Sequence, residues 1–401
     1  MLGRCVYLDN HATTRVDPRV LDAMLPYLTD HYGNAASTSH AFGWAAKAAV
    51  DAARESIAAG LNASPREIVF TSGATESNNL AIRGVCERAG RRGQHLISVV
   101  TEHRAVLDPL AKLARRGFEV TLLPVRPHGA PEAGTIDLDQ LAGSLRDDTA
   151  LVSVMLANNE IGVLQPLAEI GRICKQRGVL VHTDATQAVG KIPVDVEELQ
   201  VDLLSFTAHK IYGPKGIGGL YVRRRNPQVR LEPQIDGGRQ EAGRRSGTLN
   251  VPGIVALATA LQLCRAEMPG EGERQRQLRD RLFAGLRSRV ADVALNGPAL
   301  DRVDLRLSGN LNCNFADVDG EALMLSMRDL AVSSGSACTS ADPEPSHVLR
   351  ALGLGDDLTR ASLRFGLGRF NTAEEIDFAV ETVANAVERL RKLRGDSPIL
   401  T

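Results

Sequence analysis

The stretch Val201-Asp-Leu-Leu-Ser-Phe-Thr-Ala-His209-Lys210-Ile-Tyr-Gly213-Pro-Lys-Gly216-Ile-Gly218-Gly219 runs from an apolar segment into a His-Lys pair and then a glycine-rich turn. Short apolar runs bounded by turn residues read as buried strands. A lysine at the end of such a strand is held on a rigid element, where its amine can form a Schiff base with an aldehyde cofactor. A surface lysine opening a loop is the plainer reading of Lys210 alone. Upstream, Gly178-Val-Leu-Val-His182-Thr-Asp184-Ala-Thr-Gln187 is a second apolar run, and it ends in an acid. Together the two strand ends suggest pyridoxal phosphate, with Asp184 against the pyridinium nitrogen and Lys210 at the aldehyde carbon.

Outward from this pair, apolar runs alternate with stretches of helix length. Strands are expected at Glu67–Thr71, His95–Val100, Glu119–Leu123, Ala150–Leu156, Val179–Thr183, Asp202–Phe206 and Gly219–Arg223. Seven strands separated by helices predict an α/β fold with a mostly parallel sheet between helical layers. Asp17-Pro18 predicts a capped helix start, and Ala41–Leu61 reads as an amphipathic helix. A helical tract over Val251–Val290 is expected to break near Met268-Pro-Gly-Glu-Gly. Beyond it, strands near Arg306–Phe315 and Ala361–Gly366 and helices near Gly320–Met327 and Thr372–Arg394 predict a smaller α+β domain. The expected division is a large domain over 16–260 and a small one from 1–15 and 261–401, the latter carrying a loop at about 328–345.

The chain has 401 residues, 43% of them hydrophobic, enough for a sizeable core. Lys+Arg 47 against Asp+Glu 48 leaves a net charge of −1, which argues against a nucleic-acid binder or a polybasic membrane-surface protein. No apolar run approaches the roughly 18 residues of a membrane span, and Met1–Asp9 lacks the pattern of a secretory signal. A cytoplasmic protein is expected. Six scattered cysteines without metal spacing predict neither a disulfide framework nor a metal site.

Several motifs supply the rest of a cofactor site. Gly73-Ala74-Thr75-Glu76 follows a strand and opens a helix, whose free amides and positive dipole end suit a phosphate. Thr207 and His209 adjoin Lys210 and can face that phosphate. An ordinary loop histidine is the plainer reading of His103 alone, but it follows the Leu96–Val100 strand, and if the strand order brings it over the ring it can stack there and move protons. Asn158 and Gln187 carry side-chain amides for the pyridoxal 3-oxygen. Arg364 alternates with Leu363 and Phe365, and its guanidinium suits an amino-acid carboxylate, with an ion pair to a neighbouring acid as the competing reading. Cys338 lies among Ser333-Ser-Gly335-Ser-Ala-Cys338-Thr-Ser, small polar residues unlike a core setting. An incidental surface cysteine is the alternative.

From Tyr7-Leu-Asp-Asn-His-Ala-Thr-Thr14 to the C-terminal helix, the sequence resembles the pyridoxal-phosphate cysteine desulfurases of the class I, NifS/IscS-like group. Gly73-Ala-Thr-Glu-Ser-Asn-Asn-Leu, Asn158-Asn-Glu-Ile-Gly, Ala208-His-Lys-Ile-Tyr-Gly-Pro-Lys-Gly and Ser333-Ser-Gly-Ser-Ala-Cys-Thr-Ser carry the resemblance, in that order. It implies a fold-type-I homodimer in which Thr248, within Arg245-Ser-Gly-Thr248, reaches the phosphate of the neighbouring subunit's cofactor. It further implies L-cysteine as substrate, its carboxylate held by Arg364 and Asn34, and Cys338 as the nucleophile that leaves with the sulfur. Lys210 and His103 are then the acid–base residues, and an iron–sulfur scaffold or other sulfur acceptor is the expected partner. Ala35 stands where the family commonly has proline. Two alternatives stay open: a selenocysteine lyase or other amino-acid enzyme on this fold, and an inactive sulfur-pathway scaffold.

Overall fold

The central strands form where apolar residues occupy both faces of an extended run, so that each strand must be covered on two sides. In the computed structural model, which describes residues 5–88, 93–334 and 345–395, the first strand, β1 (Val6–Tyr7), lies outside this sheet. The sheet consists of β2 (Ile68–Thr71), β3 (His95–Val99), β4 (Glu119–Leu123), β5 (Thr149–Ser153), β6 (Leu180–Asp184), β7 (Leu203–Thr207) and β8 (Gly218–Val222). All seven expected strands are present, displaced by at most a few residues at their ends. The order is β2-β8-β7-β6-β5-β3-β4. Four pairings are parallel, and β8 runs antiparallel to both its neighbours.

Alternation along each strand sorts side chains to opposite faces. Ile97, Val152, Leu204 and Tyr221 join one apolar cluster with the helices Ala41–Gly60 and Val251–Arg289. Their neighbours Leu96, Leu151, Leu203 and Leu220 join another with Ala74–Glu87 and Arg104–Ala114.

A separate cluster gathers β9 (Val293–Leu295), β10 (Asn310–Phe315), β11 (Leu330–Ala331), β12 (Ser362–Gly366) and the helix Ala373–Gly395. β12, β10 and β9 form an antiparallel sheet, and β1 pairs in parallel with β11.

The expected break near Pro269 is absent. One helix, Val251–Arg289, runs through it. Pro269 and Gly270 are exposed, so water can take the carbonyl that loses its amide partner. The helix spans roughly 58 Å at about 1.5 Å per residue. Ile254, Leu257 and Leu261 sit in the core beside the sheet, whereas Leu278, Leu282 and Leu286 sit in the separate cluster. By length and composition its apolar half could cross a membrane, but half of that window is buried inside the protein.

Candidate active site

The parallel strands all point their carboxyl ends to one edge of the sheet, where ligands bind in open α/β folds. A cleft of about 980 Å³ lies there. Of the residues expected from sequence, Ala74, Thr75, His103, Asp184, Gln187, Thr207, His209, Lys210 and Arg364 all line it.

Asp184 closes β6. Its carboxylate accepts from Asn78 Nδ2 at 2.7 Å and from the Thr186 amide at 2.9 Å, so both oxygens are oriented. Lys210 ends a single helical turn after β7, and its Nζ donates to the His11 and Ala12 carbonyls, the latter at 2.6 Å. Helix Ala74–Glu87 starts at Gly73, whose φ of 152° is open to glycine but rarely to other residues. Within that turn, Glu76 accepts from the Ser72 amide at 2.8 Å and from Arg245 at 2.9 Å.

His103 is the N-cap of Arg104–Ala114, and its Nδ1 accepts from the Ala105 amide at 3.0 Å. The proton of the neutral ring therefore belongs to Nε2. Beside it, Glu102 is buried, with Oε1 accepting from the Met155 amide at 2.6 Å. Burial pushes its carboxyl well above the usual range despite that hydrogen bond, and the Asp184 charge adds to the rise. Burial, and then repulsion from Lys210, Lys215 and Lys191, lowers His209 to about 4, so it is a neutral hydrogen-bonding group near pH 7.

Arg364 makes the ion pair that is its competing reading, and it is also placed at the cleft. It lines the cleft, and it bonds Asp9 at 2.8 Å, Ser333 Oγ at 3.1 Å and the Asn159 carbonyl at 3.1 Å. Asn158 is placed behind the cleft. Its amide donates to the Thr101 carbonyl at 3.0 Å, while Oδ1 accepts from the Glu160 and Ile161 amides at 2.8 and 3.0 Å. Asn34 and Thr248 are exposed and do not line the cleft of their own chain; Asn34 borders a separate cavity of about 760 Å³. Cys338 lies outside the described residues. The chain on either side of its segment does reach the cleft: Ser333 bonds Arg364, and Pro345 and His347 line the wall. Ser346 caps the helix His347–Ala351 and donates to Glu160 at 2.5 Å, and His347 Nε2 bonds the Glu102 carbonyl at 2.9 Å.

The site residues that motif reading passed over are Asp9, His11, Asn78, Glu102 and Ser346. Asp9, His11 and Asn78 lie inside segments that carried the resemblance, but their partners are distant in sequence.

The cleft fits pyridoxal phosphate. His11 Nδ1, Asn78 Oδ1 and Thr186 Oγ1 are buried polar atoms without a protein partner, in residues that line it, and the opening turn of Ala74–Glu87 offers amides for a phosphate.

The Aminotransferase class-V family model matches residues 6–378. The chain belongs to this family of pyridoxal-phosphate enzymes, and within it to the cysteine desulfurases. It is 55% identical over 395 residues to the cysteine desulfurase IscS of Anaeromyxobacter dehalogenans, covering 98% of this chain and 94% of that protein. With the IscS of Methylococcus capsulatus it shares 54% over 97% of this chain and 94% of that one. Among solved structures, a NifS-like protein superposes with a TM-score of 0.87 at 37% identity, over 96% of this chain and 100% of that one. SspA, solved in complex with cysteine, gives 0.79 at 36%, over 91% and 99%. The protein is a pyridoxal-phosphate-dependent cysteine desulfurase.

Proposed function

We propose that the enzyme converts L-cysteine to L-alanine, passes the sulfur to Cys338 as a persulfide, and delivers it to an iron–sulfur scaffold or other acceptor protein. The observation that carries this reading is the convergence of Lys210, Asp184, His103 and Arg364 on one cleft, together with the chain flanking the Cys338 segment.

Ala74, Thr75, Thr207 and His209 hold the cofactor phosphate, and Asp184, fixed by Asn78, keeps the ring nitrogen protonated. When bound, pyridoxal phosphate supplies an electron sink that acidifies the substrate Cα–H. Arg364 orients the substrate carboxylate through a planar, two-bond contact. Lys210 moves the proton at Cα, and His103 serves at Nε2 as its acid–base partner. The Cys338 thiolate attacks the substrate sulfur; the Cβ–S bond breaks, an S–S bond forms, and Cβ takes up a proton. One cysteine and one enzyme thiol thus yield one alanine and one persulfide.

The working form is a homodimer. Leu21, Leu25, Leu28, Tyr32, Phe42 and Trp44 are exposed apolar side chains close together in sequence, as a partner-covered face requires. That arrangement gives Asn34 and Thr248 a neighbouring cleft to serve. The five described cysteines are free thiols, which suits the reducing cytoplasm.

The test is to incubate the holoenzyme with L-cysteine and a reductant and to measure sulfide and alanine together, with Cys338→Ala alongside. Equal sulfide and alanine that vanish in the variant support the reading. Undiminished turnover in Cys338→Ala removes the persulfide step, and the cofactor spectrum of that variant should match the parent.

A further inference from the structure

Lys191 has no part in the chemistry above, yet it touches the cleft wall. It sits in the turn after β6, four residues beyond Gln187. Its Nζ donates to Gln187 Oε1 at 2.7 Å, and Gln187 Nε2 donates to the His11 carbonyl at 2.9 Å. That same carbonyl receives Lys210 Nζ. The O/N orientation of a glutamine amide is ordinarily an assignment. Here two neighbours demand the same one independently, because an ammonium only donates and a carbonyl only accepts. Gln187 is 4% exposed and lines the cleft.

Stability does not explain Lys191. Among the described residues no carboxylate pairs with it. The residue is half-buried, and burial, followed by repulsion from Lys210, lowers its ammonium to about 7. A cation held in such a place without an acid costs the fold free energy.

We propose that Lys191 is a positioning residue that holds Gln187 Oε1 and so fixes the amide as a hydrogen-bond donor toward the pyridoxal 3-oxygen. This rests on the reading of Gln187 as a cofactor ligand. Without Lys191 only the His11 carbonyl would oppose the flipped amide, whose oxygen would face the pyridoxal 3-oxygen and repel rather than bind it.

The test titrates apoenzyme with pyridoxal phosphate and reads the dissociation constant and the visible absorption of the bound cofactor. Lys191→Met should weaken binding about tenfold, the loss expected of one misaligned hydrogen bond, and should shift the absorption. Lys191→Arg, which also only donates, should bind within about threefold of the parent on the same scale. The double variant Lys191→Met/Gln187→Ala should match Gln187→Ala alone, since Lys191 acts through Gln187. If Gln187→Ala weakens binding and Lys191→Met does not, the role of Lys191 falls while the reading of Gln187 stands. Additive losses in the double variant, or an arginine variant as weak as the methionine one, also overturn it. If Gln187→Ala binds like the parent, both readings fail together. Thermal melts of each variant separate a local effect from a folding defect, which would lower Tm in Lys191→Met.

Discussion

The two walls of the cleft are built by different means. On the sheet side, Asp184, Thr207, His209 and Lys210 stand at or just beyond adjoining strand ends, and each position follows from the backbone that carries it. On the other side, Arg364 is held by Asp9 and Ser333, and Ser346 by Glu160, pairs separated by 355, 31 and 186 residues. The first wall takes its positions from two neighbouring strand ends, and Asn78, His11 and Ala12 then orient its Asp184 and Lys210 side chains. The second exists only once distant segments have packed. Cofactor chemistry should therefore depend on the first, and substrate handling and sulfur transfer on the second.

The largest effect expected is at Lys210. Lys210→Ala should lower desulfurase turnover by about three orders of magnitude or more, as loss of a covalent, proton-moving amine implies, and should abolish the Schiff-base absorption. A normal spectrum in this variant would break the assignment of the sheet wall. Arg364→Lys keeps a charge but loses the planar fork. It should raise KM for L-cysteine about 10- to 100-fold, the equivalent of 1–3 kcal/mol, with cofactor affinity unchanged. Loss of cofactor at this position would erase the distinction between the walls.

Ser346→Ala removes a helix cap and its bond to Glu160, at a cost of about 0.5–2 kcal/mol. The expected result is a drop in Tm of about 1–2 °C and a few-fold loss of sulfide release, with unaltered cofactor absorption. The smallest effect concerns pH. Burial lowers His182, bonded between Ser153 and Ser205, to about 4. The unfolded chain takes up this proton near pH 6.5 and the fold resists it, so stability is fully present above 6.5 and is lost as pH falls toward 4. Between pH 7 and 5.5 the loss is about 1 kcal/mol. Comparing denaturant unfolding of the parent and His182→Gln isolates this contribution from Asp202, which burial raises to about 6 and which acts in the opposite sense.

The same division explains what was legible in the sequence. The sheet strands could be read to within a few residues because each is a short run rich in apolar residues, buried on both faces except at the edge strand β4, and their terminal residues then marked the cleft. Arg364 could be placed by its alternation in β12, but nothing local to it named Asp9 as its partner. Asn158 belonged to a recognisable loop, yet its amide is turned to the Thr101 carbonyl and the loop's own backbone, an outcome set by tertiary packing. Pro269 misled because the propensity of a proline to end a helix was outweighed by apolar contacts on both sides of it and an exposed position. Lys191 carried no motif at all; its significance lies in which atom of Gln187 it meets.

The helix Val251–Arg289 places one half in each of two separate apolar cores, and unfolding either would strip contacts from the same continuous rod. A calorimetric scan should consequently show one endotherm rather than two, because the helix makes melting of the cores a joint event.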